Sequence, residues 1–194
     1  MSGLVDAAEV VRRLAALPTP PRLIAIDGAP LSGKSTLAER LAARFGWPIL
    51  GFDDFYRPAP DWPADIAPAF PFPFFRLEEF HDALRDLKRA GACAWRPIDW
   101  PSLTVQPEPV RLETHGPAIV EGCSVLDPAL TPLYDFRIFV ASDRASLVEA
   151  QRIRDGDNVL AADWRRLFLP SVDIYLATRP EARADLIVAG RGLG

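Results

Sequence analysis

The chain has 194 residues, with 22 Lys and Arg against 26 Asp and Glu, for a formal net charge of −4. That length suits one α/β domain with a sizeable core. The acidic balance argues against a general binder of nucleic acid or of anionic membrane, and no apolar run approaches the ~20 residues of a membrane helix. Cys93 and Cys123 form no C-x-x-C pair, and with two His they suggest no zinc cluster. Asp6 and Glu9 make the first residues unlike a targeting peptide. The expectation is a reduced, cytoplasmic protein. Twenty of the basic residues are Arg, which fits codon bias, and two are Lys, Lys34 and Lys88.

Apolar residues near helical spacing predict an amphipathic helix over 4–17, ended by Pro18, Pro20 and Pro21. Residues 22–27 (RLIAID) form a short apolar run and read as a buried strand. A loop over 28–33 precedes a predicted helix over 34–45, and 48–52 reads as a second strand. Residues 58–73 hold six prolines with Trp62, Phe70 and Phe72, which excludes a regular helix or central strand. The aromatics favour an ordered loop. An amphipathic helix follows over 77–90, stopped at Gly91. Lys88 lies on its solvated side and is expected to carry no role. Residues 92–116 are irregular with short strands. Strands are predicted at 118–121, 136–141 and 184–189. Helices are predicted from a cap at Asp143 to about Arg154, and over 164–176 with an interruption near Pro170. Strands alternating with helices predict a parallel sheet covered on both faces.

Gly28-Ala29-Pro30-Leu31-Ser32-Gly33-Lys34-Ser35 fits G-x-x-x-x-G-K-[ST], and Thr36 continues the stretch. Chance would place the four fixed positions in a chain this long roughly one time in a hundred. The motif also follows a strand and opens a helix, as phosphate binding requires. Its glycines allow successive N–H groups to form an anion-binding nest, and the helix N-terminus adds partial positive charge. Lys34 is placed to neutralise the β/γ-phosphates, and the Ser35 hydroxyl to ligate Mg²⁺.

The second strand ends in Asp53-Asp54-Phe55-Tyr56-Arg57-Pro58, at the strand edge where α/β sheets bind ligands. Asp53 is placed to accept a proton from a substrate hydroxyl, to hold Mg²⁺ through water, or to cap a turn. Asp54 points elsewhere, so one of the pair is structural. Glu121 ends another strand at the same edge and reads as a metal or water ligand. Cys123 reads as a small buried hydrophobe. Arg152 and Arg154, with Arg165 and Arg166 as substitutes, are the candidates for a lid arginine on the transferring phosphoryl group. Residues two apart on a helix point about 200° apart, so Arg152 and Arg154 cannot both face the phosphates unless the helix ends between them. Asp54, Tyr56, Arg57, Trp62, Asp99 and Trp100 are substrate-side candidates. Phe70, Phe72, Phe74 and Trp95 could stack on a flat substrate or simply pack. His81 and His115 have no catalytic role.

With these residues in place, the chain resembles the uridine kinase-like group of P-loop kinases. The matching pieces are IAIDGAPLSGKSTLA (24–38), DDFYRP (53–58), IVEG (119–122), RIRD (152–155) and ADLIV (184–188). The resemblance implies a three-layer P-loop NTPase of the nucleoside/nucleotide kinase type. It would be a single domain over 1–194, with a lid at about 152–168 and an acceptor-site insertion at about 54–116. It implies Asp53 as catalytic carboxylate, Glu121 near Mg²⁺, and Arg154 rather than Arg152 as the lid residue. One departure is plain. Uridine kinases carry an acidic stretch resembling F-D-H-P-D-A-F-D after D-x-F-Y, whereas here residues 69–76 read AFPFPFFR.

The expected activity is ATP- and Mg²⁺-dependent transfer of the γ-phosphoryl group to a hydroxyl of a small molecule, with a nucleoside as leading acceptor. The alternatives are a non-nucleoside acceptor (vitamin precursor, sugar or pantothenate-like) and a nucleotide-binding regulatory protein with slow ATPase activity. A GTPase switch is disfavoured because no N-K-x-D motif is present. No nucleic-acid or membrane partner is expected, and the oligomeric state is left open, a homodimer included.

Overall fold

The computed structural model describes residues 4–155 and 160–193, with 154 and 155 described by their backbone alone. The first helix, α1 (Ala7–Ala15), begins later than the periodicity predicts. Val5 is recruited by the sheet edge instead. Its N–H donates to the Ile187 carbonyl and its carbonyl accepts from the Ala189 N–H, both at 3.0 Å. Asp6 then caps the helix, accepting from the Glu9 N–H at 2.7 Å. β1 (Leu23–Gly28), α2 (Lys34–Phe45) and β2 (Ile49–Gly51) follow closely as predicted.

A 3-10 turn, Phe52–Phe55, opens the proline-rich loop, and α3 (Leu77–Ala90) closes it with the predicted bounds. The irregular stretch resolves into two antiparallel pairs. β3 (Ala92–Trp95) pairs with β6 (Val110–Glu113), and β4 (Ile98–Asp99) pairs with β5 (Thr104–Val105). Then come β7 (Ala118–Glu121), β8 (Phe136–Ala141) and α4 (Arg144–Asp155). A continuous helical run contains α5 (Ala161–Asp163), a π turn at Trp164–Phe168 and α6 (Leu169–Leu176). Pro170 explains the π turn: it has no N–H, and its ring crowds the preceding turn. The helix widens there, and the Leu169 N–H bonds the Trp164 carbonyl. β9 (Leu186–Ala189) ends the sheet.

The core sheet is parallel, in the order β2-β7-β1-β8-β9. β1 is central and every residue in it is buried. Its side chains alternate between two cores, as strand geometry requires. Ile24 and Ile26 pack with Val10 and Leu14 of α1 and Leu37 and Leu41 of α2. Leu23 and Ala25 face Phe80, Leu84 and Leu87 of α3 and Val172 and Tyr175 of α6. Helices therefore cover both faces, giving the expected three-layer α/β architecture.

The proline-rich loop is ordered by aromatic packing. Phe52 stacks on Phe75 with centroids 4.2 Å apart, and Phe80 meets Phe52 edge-on at 4.8 Å. The loop's two ends are held side by side by an antiparallel bridge between Tyr56 and Phe75. Lys88 differs from expectation. Its Nζ lies 2.6 Å from Asp135 Oδ1, while Asp135 Oδ2 accepts from the Arg22 and Leu23 N–H groups at 2.9 and 2.8 Å. Lys88 thus ties α3 to the entrances of β1 and β8, a link between distant segments that helical periodicity does not reveal.

Candidate active site

Strand register builds the site. Gly51 of β2 and Ile26 of β1 both align with Glu121 of β7, and Gly28 aligns with Val140 of β8. The Asp53 turn, Glu121 and the phosphate loop therefore emerge together from one sheet edge. The phosphate loop and Asp53 line a cleft of about 570 Å³ there, within the range of small-molecule sites.

The phosphate loop is shaped by positive φ at Leu31 (65°) and Gly33 (102°). Gly33 precedes α2 and supplies no side-chain cap, which leaves the first N–H groups of the helix for an anion. The loop is braced from behind. A Cβ on Gly190 would lie 2.5 Å from the Ser32 and Ala141 carbonyl oxygens, so glycine is needed for this approach. Arg191 donates from its backbone N–H to the Ser32 carbonyl and from Nε to the Leu31 carbonyl, both at 3.0 Å. Arg191 also lines the cleft. Sequence reasoning missed it; the only signal is the G-R-G run after the last strand.

Lys34 Nζ lies 3.3 Å from Glu121 Oε1, with both side chains largely buried. Ser35 Oγ donates to the same oxygen at 3.2 Å. Burial works against the Lys34 charge, but the Asp53 and Glu121 carboxylates outweigh it and hold the ammonium above its usual range. Burial pushes Glu121 up, and Lys34 pulls against it. Asp53 is exposed at the cleft wall. The Ser35 hydroxyl with the Glu121 and Asp53 carboxylates is a hard-oxygen set that suits Mg²⁺, an ion usually held by one or two carboxylates plus substrate phosphates.

Several predicted residues lie elsewhere. Asp54 turns away from the cleft and its Oδ2 accepts from Trp95 Nε1 at 2.9 Å. It is the structural member of the acid pair, and Trp95 is its partner. Arg57 is spent on the Phe75 carbonyl at 3.3 Å. Trp62 Nε1 donates to the Arg57 carbonyl at 2.8 Å, and the ring packs behind the cleft against Tyr56 and Phe168. Asp99 closes the β4–β5 hairpin, accepting from the Ser102 N–H at 3.0 Å. Arg152 is exposed on α4 and paired with Glu149 at 2.8 Å, one helical turn away, so it does not face the phosphates. The side chain of Arg154 lies outside the described residues. Arg166 pairs with Asp163 and covers the Trp62 ring. Of the substrate-side candidates, Tyr56 and Trp100 line the cleft, and Cys123 is buried at its edge.

The sequence also left Asp27 unassigned. It is fully buried and gathers the site's scaffold. It accepts from the Gly28 N–H at 2.5 Å, the Ser124 N–H at 3.2 Å, the Leu126 N–H at 2.7 Å and the Tyr175 hydroxyl at 2.5 Å. It thereby joins the start of the phosphate loop, the segment after β7, and α6. Burial pushes its carboxyl up to about 6, against the pull of these donors. The folded chain thus keeps this proton up to about pH 6, whereas an ordinary Asp releases it near 3.8. The resulting stability is fully present below about pH 4 and is lost as pH rises through about 6. Tyr175→Phe removes a donor to the charged form. It is expected to shift this pH step upward and to cost about 1–3 kcal/mol at neutral pH. Urea midpoints of both proteins from pH 4 to 8 check this; superimposable profiles would refute it.

No protein-family model matches the chain, and no curated protein sequence does. Solved structures do. A possible uridine kinase from Bacillus stearothermophilus is similar at 20% identity, with 94% of this chain and 96% of that chain covered and a TM-score of 0.73. A putative fructose transport system kinase from Silicibacter sp. TM1040 is similar at 27% identity, with 95% and 99% covered and a TM-score of 0.69. Phosphoribulokinase from Rhodobacter spheroides is similar at 13% identity, with 86% and 68% covered and a TM-score of 0.58. The chain shares the three-layer fold of these P-loop kinases.

Proposed function

We propose that this chain is an ATP-dependent phosphotransferase that moves the γ-phosphoryl group to a hydroxyl of a small molecule. The observation that carries the reading is the meeting of the Lys34 loop and Asp53 in one cleft, with Glu121 paired to Lys34 at the same sheet edge. The chain is read as one domain, with a lid at about 152–168, of which 156–159 lie outside the described residues, and an acceptor-side insertion at about 54–116.

The loop over 28–36 holds the phosphates through the uncapped N–H groups where α2 begins, and Lys34 balances the charge that develops on the β- and γ-oxygens. Ser35, Glu121 and Asp53 would hold Mg²⁺, which supplies further charge neutralisation when bound. Asp53 orients the acceptor hydroxyl in line with the γ-phosphorus and takes its proton. The new O–P bond forms as the bond to the β-phosphate oxygen breaks, and ADP leaves. Catalysis of this kind is mostly positioning and electrostatics.

Of the two acceptor classes raised by the sequence, the cleft favours the non-nucleoside one. Among the described lining residues Asp53 is the one carboxylate, so no second acid stands ready for a ribose diol. The test is an ADP-release screen over nucleosides, nicotinamide riboside, sugars and pantothenate with ATP and Mg²⁺. ADP formation stimulated by one hydroxyl compound, matched by an equal amount of phosphorylated product, is expected. Turnover unaffected by every compound would overturn the reading in favour of a slow ATPase.

A further inference from the structure

The cleft lining is of two chemical kinds. A polar part (Lys34, Ser35, Thr36, Asp53 and Arg191) includes the phosphate-loop residues. Much of the rest is built from aromatic rings supplied by four separate segments. Phe72 and Phe74 come from the proline-rich loop, Tyr56 from the turn after β2, Trp100 from the β4–β5 hairpin, and Trp164 and Phe168 from the π turn. The rings form one connected surface. Phe72 stacks on Phe74 at 5.3 Å and 11°, Phe74 meets Phe168 at 4.7 Å, and Tyr56 meets Trp100 at 5.4 Å. Most of these rings are buried. Trp100 is not: it is 44% exposed at the cleft, an arrangement that leaves ring surface for another ring to cover.

We infer that the acceptor is a flat, apolar-bodied alcohol, an aromatic or heteroaromatic ring carrying a hydroxymethyl group, rather than a polyol. This rests on the phosphotransferase reading above. A sugar, a glycerate or the ribose of a nucleoside brings several hydroxyls, and each one buried against Phe and Trp loses its hydrogen bonds to water without replacement. An aryl carbinol brings one hydroxyl, which meets Asp53, and a ring, which meets the aromatic lining. The segment 69–76 (AFPFPFFR) thereby gains a purpose: it brings Phe72 and Phe74 to the cleft as packing surface for that ring.

The test uses the full chain with two planar probes, benzyl alcohol and 4-pyridinemethanol, and three polyol probes, fructose, glycerate and uridine. ADP release is followed with ATP and Mg²⁺, and binding by intrinsic tryptophan fluorescence without ATP. Planar probes are expected to give kcat/KM at least tenfold above any polyol. Trp100→Ala, a change at an exposed position, is expected to lower that value at least tenfold while the KM for ATP stays within twofold. A polyol that equals or exceeds the planar probes overturns the inference and leaves the phosphotransferase reading standing. If no probe is phosphorylated, binding decides. Saturable planar-probe binding, weakened at least tenfold in Trp100→Ala, supports the ring pocket and counts against the phosphotransferase reading. Absence of saturable planar-probe binding overturns the inference.

Discussion

Lys34→Met is expected to lower acceptor-dependent turnover by about 10³-fold, the scale reached when one preorganised charge-stabilising donor is removed. Met keeps the length and apolar stem of Lys but not the ammonium. The loss is therefore electrostatic, falling on the charge that builds on the phosphoryl oxygens. The same change strands Glu121, whose carboxylate sits 3.3 Å from Lys34 Nζ and is already pushed up by burial. Glu121 answers by taking up a proton, which limits the fold's loss to less than the full cost of an unpaired buried charge. Steady-state kinetics measures the turnover, and calorimetric ATP titration with thermal unfolding separates binding from folding. Full turnover in a folded Lys34→Met protein would exclude Lys34 from the chemistry.

Asp53→Asn is expected to reduce phosphoryl transfer by about 10²–10⁴-fold, the usual worth of a positioned general base. ATP affinity is expected to change little. Asp53 is exposed, and the amide occupies nearly the same volume, so folding is not at stake. The companion Asp54→Asn should behave in the opposite way. Asp54 accepts from Trp95 Nε1, so its loss weakens the junction between the Phe52–Phe55 turn and β3 while leaving the reacting atoms in place. Single-turnover rates for the two variants distinguish the roles. Comparable transfer rates in wild type and Asp53→Asn would remove Asp53 as base.

The contrast between these neighbouring acids shows what the sequence could and could not reveal. The phosphate loop, α2, α3 and β7 were legible because each is local: a glycine spacing, an amphipathic period, an apolar run ended by a turn. The cleft edge was legible too, because residues that end parallel strands must emerge together. Which side chain of Asp53-Asp54 faces the cleft depends on a 3-10 turn and on an indole arriving from β3, neither of which leaves a local mark. The same holds for Arg57, taken by the Phe75 carbonyl, and for Asp99, taken by its own hairpin. Arg152 is instructive in another way. Its pairing with Glu149 at i−3 is written in the sequence, and a surface helix pair of that kind is the ordinary fate of an arginine. Asp27 and Tyr175 are 148 positions apart, and only the packed fold brings them into contact.

The rarity of lysine gives the chain a built-in footprinting standard. Besides the α-amine, an acylating reagent meets two ε-amines, and both are held in ion pairs. The Lys88 amine, locked to Asp135 away from the cleft, reacts at a rate set by that pair alone. The Lys34 amine lines the cleft beside Glu121, where the proposed nucleotide would cover it. The ratio of modification at the two sites, read by peptide mass, is therefore expected to fall when nucleotide binds, with the reagent dose cancelled by the protein itself.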